Sequence, residues 1–195
     1  MHSGREGDSR VVTENRGRET AASIRRWLPF LIAAFVVAFD RLTKIYIQGH
    51  FSSLDAVSVI PGWFRIVHTE NPGAAFGMLA DGDPVIRSVI LVGVSVVVLV
   101  FVVSTLLKRS SSLGGTLTRL ALGFILGGAL GNLYDRVVLG TVTDFLEVYN
   151  GNWTFPAFNI ADSAITVGAV LLLIDLLRPT QKRLPQHQAH PPTEF

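Results

Sequence analysis

The 195-residue chain contains no cysteine, which removes disulfides, thiolate metal sites and cysteine nucleophiles together. Charge is scarce too: Asp, Glu, Lys and Arg make up 16% of the residues. A net charge of +2, with the basic residues near the ends and one turn, leaves no basic patch interleaved with aromatics and no case for nucleic acid. Histidine offers little. Three of the five, His2, His187 and His190, lie in the terminal segments, and no H-E-x-x-H or comparable spacing occurs, so no metal site is expected. Ser163 is not set in a G-x-S-x-G elbow, and the remaining histidines, His50 and His68, fall together in one polar stretch, which argues against a serine triad. What is present in excess is apolar surface. A hydrophobic content of 49% and a mean hydropathy of +0.42 place the chain in the membrane class.

Four apolar stretches organise it. The spacing predicts helices over about 27–47, 84–107, 115–134 and 157–177, each near the length needed to cross a hydrocarbon core of about 30 Å. The first follows Arg25 and Arg26, and its helical pattern continues through DRLTKIYI with no cleavage site, so a retained span is expected rather than a signal peptide. Asp83 and Pro84 read as N-cap and first residue of the second. Gly123, Gly127 and Gly131 repeat every four residues along the third, a smooth stripe for close helix packing. Between the first two helices, AVSVI and WFRIVHTE flank Pro61–Gly62 as a hairpin, and NPGAAFGMLA reads as a turn and a short interfacial helix. The expected fold class is all-α and polytopic: four transmembrane helices with a small outer-face β-hairpin or cradle and that interfacial helix. Residues 27–178 form the membrane domain, and 1–26 and 179–195 are expected to be disordered tails.

Lysine and arginine concentrate in the N-terminal tail, at Lys108–Arg109 and at Arg178–Arg183, which predicts both termini on the cytoplasmic side. Asp40, Lys44, Asn132, Arg136, Asp144, Asn159 and Asp162 then all fall in the outer half of the membrane or just above it. An ionisable side chain at mid-depth costs at least about 2.5–3.5 kcal/mol, so one that is kept usually has a use. Asp162, at the start of the fourth apolar stretch, is such a residue, and Asp144, in the preceding loop of about twenty residues, is its nearest plausible partner. Two carboxylates held close together share one proton, so one activates water while the other protonates the leaving group, without a metal. The plainer readings stay open. Asp162 can simply bond Asn159, Asp40 and Lys44 form a neutral i,i+4 pair, Arg136 is an interface anchor, and Asn71-Pro72-Gly73 is turn chemistry. A small proton-coupled transporter is the alternative function, with Asp40, Asp162 and Arg136 as its relay.

Five blocks, DRLTK (Asp40 to Lys44), NPGAAFG (Asn71 to Gly77), GGALGNLYDR (Gly127 to Arg136), VTDFL (Val142 to Leu146) and FNIADSAITVG (Phe158 to Gly168), come in an order that resembles the bacterial lipoprotein signal peptidases, the type II signal peptidases. The resemblance implies an aspartic endopeptidase of the bacterial cytoplasmic membrane, active at its outer face. It would remove signal peptides from lipid-modified prolipoproteins immediately before the diacylglyceryl cysteine. Asp144 and Asp162 match the catalytic dyad, and Asp40, Lys44, Asn71, Gly73, Asn132, Arg136 and Asn159 match residues that hold substrate or dyad. The expected partners are prolipoproteins and membrane phospholipids, with a monomer sufficient and no cofactor required.

Overall fold

A computed structural model describes residues 4–73, 83–108 and 115–178, with side chains from residue 26 onward. In chain order the elements are α1 (Gly4–His50), β1 (Ala56–Ile60), β2 (Phe64–Asn71), α2 (Pro84–Leu107), α3 (Thr116–Val138), β3 (Val142–Asn150), β4 (Trp153–Thr154) and α4 (Ile160–Leu177). Three of the described helices, α2, α3 and α4, are long and apolar enough to cross a membrane. In α1 the apolar run Trp27–Phe39 is followed at once by Asp40, Arg41 and Lys44. That helix extends back to Gly4, through the segment expected to be a disordered tail. The segment holds six arginines and three glutamates, good helix formers, and no proline. The interfacial helix expected within 71–80 falls largely outside the described residues.

The apolar faces point outward. Leu31, Phe35 and Leu42 of α1 are 63–69% exposed, and α2 buries only Val102 and Leu106, a distribution that suits lipid rather than water as the surrounding medium. The interior is built on α3, which packs against α1, α2 and α4 around Ala33, Val102, Leu106, Leu122 and Leu126. Small residues permit this. A methyl group on Gly127 would lie 2.9 Å from the Ala33 carbonyl oxygen and one on Gly123 2.8 Å from that of Pro29, so the glycine stripe faces α1. On other faces Gly128 abuts the Ala161 carbonyl, and a methyl on Gly168 of α4 would meet the Ala121 carbonyl at 2.7 Å.

Where α1 and α3 end and α4 begins, four strands form an antiparallel sheet in the order β1-β2-β3-β4. The β1–β2 hairpin turns through Pro61–Gly62, with φ +79° at Gly62 and Trp63 N donating to Ile60 O at 3.0 Å, the pattern of a type II turn. The loop expected around Asp144 is instead β3, paired along β2 from Phe64↔Val148 to Asn71↔Val142. The pairing is non-local, and Asp144, a poor strand former, interrupts the strand's apolar face, so local sequence hides it. α3 also runs past the expected 134 to Val138, and α4 starts at Ile160 rather than near 157, because Asn159 caps it.

Candidate active site

The start of α4 is fixed by a capping box. The Asn159 carbonyl oxygen Oδ1 accepts the Asp162 main-chain N–H at 2.9 Å, and the Asp162 carboxylate accepts the Asn159 N–H at 3.3 Å. Asp162 therefore sits at the third position of the helix, within its first turn and nearer the helix end than expected. Just upstream, Phe158 pairs in strand fashion with Leu146 of β3, through N–H···O bonds of 2.8 and 2.9 Å. That pairing sets Asn159 beside Asp144. The Asn159 amide donates to Asp144 Oδ1 at 2.7 Å, so one asparagine touches both aspartates through its two ends.

Each carboxylate has a second amide. Asn71, the last residue of β2, donates to Asp144 Oδ2 at 3.0 Å, and its own Oδ1 is held by Gly73 N at 2.9 Å. Asn132 of α3 donates to Asp162 Oδ1 at 2.7 Å. The orientation of Asn132 follows from its other end, which accepts from Lys44 Nζ at 3.1 Å and Asn159 Nδ2 at 3.3 Å. Lys44 in turn lies between Asp40 at 2.8 Å and Asp135 at 2.7 Å, all three side chains fully buried. Arg41 pairs with the opposite side of Asp135 and lies over the Tyr134 ring at 4.5 Å. Two cations and two carboxylates thus close a neutral cluster, which is what buried charge requires. Asp40 also accepts the Ala161 N–H at 2.9 Å, an otherwise unpaired donor of the first turn of α4. So Asp40 and Lys44 are a structural pair that seats the helix carrying Asp162.

The nine residues anticipated from sequence converge on one region. Asn71, Asn132, Arg136, Asp144 and Asp162 line a groove of about 910 Å³; Asn159, Asp40, Lys44 and Gly73 support it from behind. Arg136 donates to the Asn132 carbonyl at 3.3 Å. Away from the carboxylates the groove wall is mainly apolar, formed by Leu91, Val94 and Val98 of α2, Ile125 and Ala129 of α3 and Ile165 of α4, with Ser95 and Thr166 among them. Asp135, Arg41 and Thr143 were not anticipated. Asp135 carried a signal, since it lies three residues from Asn132 on one helix face.

Asp144 is 2% exposed. Burial pushes its carboxyl from 3.8 up to about 7; the amide of Asn71 opposes the rise, the charge of Asp162 adds to it, and the amide of Asn159 and the charge of Lys44 oppose it further. A carboxyl that titrates near neutrality in a groove, beside a second carboxylate, is equipped for proton transfer at physiological pH.

Comparison with known proteins agrees with this geometry. The family model described as signal peptidase (SPase) II matches residues 32–178. A lipoprotein signal peptidase of Solibacter usitatus (strain Ellin6076) is 44% identical over 162 residues, covering 80% of this chain and 94% of that protein. That of Pseudomonas aeruginosa (strain UCBPP-PA14) is 46% identical over 156 residues, covering 77% and 89%. Two solved structures of bacterial membrane enzymes superpose with TM-scores of 0.69 and 0.67 at 32% and 34% identity, covering 82% and 78% of this chain and 93% and 94% of theirs. A match across the membrane domain, together with the fold and more than 40% identity to full-length relatives, leaves one conclusion: the chain belongs to the signal peptidase II family of membrane proteases.

Proposed function

We propose that this chain is an aspartic endopeptidase that removes the signal peptide from lipid-modified prolipoproteins, cutting immediately before the diacylglyceryl cysteine. The observation that carries the reading is the bridge at Asn159, which brings Asp144 of β3 and Asp162 of α4 onto one side chain at the polar end of an apolar groove. Asp144, titrating near 7, holds the proton of the pair. Asp162 takes a proton from water as it attacks the scissile carbonyl, and Asp144 gives its proton to the departing amine. The amides of Asn71, Asn132 and Asn159 hold both carboxyls without competing as bases. Arg136 is at hand for the carbonyl oxygen on which negative charge develops.

The surroundings suit a lipid-anchored substrate. All four helices span the membrane in this reading, α1 included, with its ion-paired residues turned inward to α3 and α4. The lysine and arginine asymmetry orients both termini to the cytoplasm and the sheet to the outer face of the bacterial inner membrane. The apolar stretch of the groove then lies at the depth of acyl chains and the carboxyls lie at the interface, where water reaches them.

The test is processing of a purified diacylglyceryl-modified prolipoprotein by wild type, D144N and D162N in matched micelles. Each substitution is expected to slow cleavage by at least about 10²–10⁴-fold, and the double variant to be little worse than either single one, because residues acting as a unit are not additive. Cleavage at the wild-type rate by either inserted, folded variant would overturn the dyad.

A further inference from the structure

The front face of β3 carries Asp144; its back face carries a second polar network that the chemistry above does not use. Thr143, fully buried, accepts a hydrogen bond from Gln48 of α1 at 2.7 Å and donates to Glu70 of β2 at 3.0 Å. Glu70 stands opposite Thr143 in the strand pairing and also accepts from Thr141 at 2.6 Å. On its other side His68 links Glu70, at 3.0 Å, to the Phe51 carbonyl, at 2.7 Å. The end of α1, its following turn and two strands therefore meet directly behind the dyad.

The register makes that meeting consequential. Between Ile66↔Leu146 and Thr69↔Asp144 the pairing slips by one residue, a bulge that places Val67 and His68 opposite Phe145. Bulges rotate a strand and re-aim the side chains beyond them, and a one-residue change of register would exchange the two faces of β3. The first pairs past this bulge are the ones holding Asp144 and Thr143. Asn71, which bonds Asp144, immediately follows Glu70, which bonds Thr143, so the two faces are gripped by neighbouring residues of one strand.

We propose that Thr143 and Glu70 are positioning residues for the hydrolysis: their bond behind β3 fixes the rotation of the strand and hence the place from which the Asp144 carboxyl meets water and substrate. This inference rests on the assignment of Asp144 to the dyad. Neither residue touches the groove, so the effect must pass through strand geometry. A displacement of about 1 Å at a reacting group can lower a rate by roughly 100-fold without loosening binding.

The test measures kcat and KM for lipid-modified prolipoprotein with T143V, T143S, E70L and T143V/E70L, alongside D144N. T143V keeps the branched shape and loses the hydroxyl; kcat is expected to fall about ten- to a hundredfold with KM near wild type. T143S, which keeps the hydroxyl, stays near wild type. E70L falls with T143V, and the double variant is no worse than the lower single one, because both break the same bond. Unchanged kcat in T143V, a loss in T143S equal to that in T143V, or a change confined to KM would overturn the proposal. If T143V does not insert, E70L on the partly exposed side of the bond carries the same test. Processing by D144N at the wild-type rate would instead overturn the dyad assignment, and with it this inference, and is told apart because it does not involve the back face.

Discussion

Replacing Asp144 by Asn should remove activity and yet make the protein more heat-stable on the alkaline side. Burial raises the Asp144 carboxyl from 3.8 to about 7, so between those values the folded chain binds a proton that the unfolded chain has released. The contribution of that proton to stability is fully present below pH 3.8 and is lost as pH rises through about 7. A shift of roughly three units at about 1.36 kcal/mol each puts the charged carboxylate at a cost on the order of 4 kcal/mol above neutrality. Asparagine at this position does not titrate, but it has its own penalty. The amides of Asn71 and Asn159 both point N–H groups at residue 144, and each is locked because its oxygen accepts from Gly73 N or Asp162 N. One donor must then face the new amide nitrogen, at about 1–3 kcal/mol, at every pH. Near pH 4 the variant should be the less stable protein by that amount, and at pH 8.5 the more stable by about 1–3 kcal/mol, the remainder of the two terms. At about 2–4 °C per kcal/mol for a chain of this size, the difference in melting midpoint should reverse sign and swing by roughly ten degrees. Tryptophan fluorescence on heating in detergent, at matched pH values, reads it, and titrating groups remote from residue 144 cancel in the difference. A constant offset from pH 4 to pH 8.5 would refute the argument.

Three further outcomes follow from the same structure. The rate of prolipoprotein cleavage should fall as pH rises through about 7, because Asp144 loses the proton that the proposed mechanism has it deliver, and a stopped assay at fixed micelle composition checks the position of that limb. K44M should cost about 3–5 kcal/mol, measured as a melting shift, since it leaves Asp40 and Asp135 buried without their shared cation. G128L should leave little folded protein on size-exclusion chromatography, because a large side chain there separates α3 from the first turn of α4 at the Ala161 carbonyl.

Much of the site was legible from chemistry that is improbable in an apolar chain. Asp162 stood out because a carboxylate beginning a membrane segment is costly, and Asn132 with Arg136 stood out at i,i+4 on one face. The pairing of Asp40 with Lys44 followed from spacing alone and is present at 2.8 Å. What could not be read is what depends on distant partners. β3 reads as loop in the sequence because its strand character comes from β2, more than seventy residues away, as in Asn71↔Val142. The bulge before Thr69 and the bond between Thr143 and Glu70 exist only once that pairing is made. Asp135 does not stand out in the sequence, because its role rests on Arg41 and Lys44 of another helix. The glycine stripe showed that α3 would be approached closely; that Gly128 and Gly168 serve α4 on different faces needed the packed bundle.

The arrangement also accounts for why so many asparagines surround two aspartates. In a partly dry site a carboxyl near pH 7 needs neighbours that hold it without settling its charge. Lysine or arginine in direct contact would pull Asp144 down and leave the proposed mechanism no acid for the leaving amine. Amides give two-ended, directional bonds, and each one here is oriented by something further out: Asn71 by Gly73 N, Asn132 by Lys44, Asn159 by the first turn of α4. The fixed charges are kept one layer behind, where Lys44 and Arg41 balance Asp40 and Asp135. From there Lys44 orients Asn132, which bonds Asp162 and accepts from Asn159, while its charge is a minor influence on the Asp144 carboxyl. The helices are thus tied by ion pairs whose cost is met within the cluster, while the two carboxyls of the proposed dyad remain free to exchange a proton.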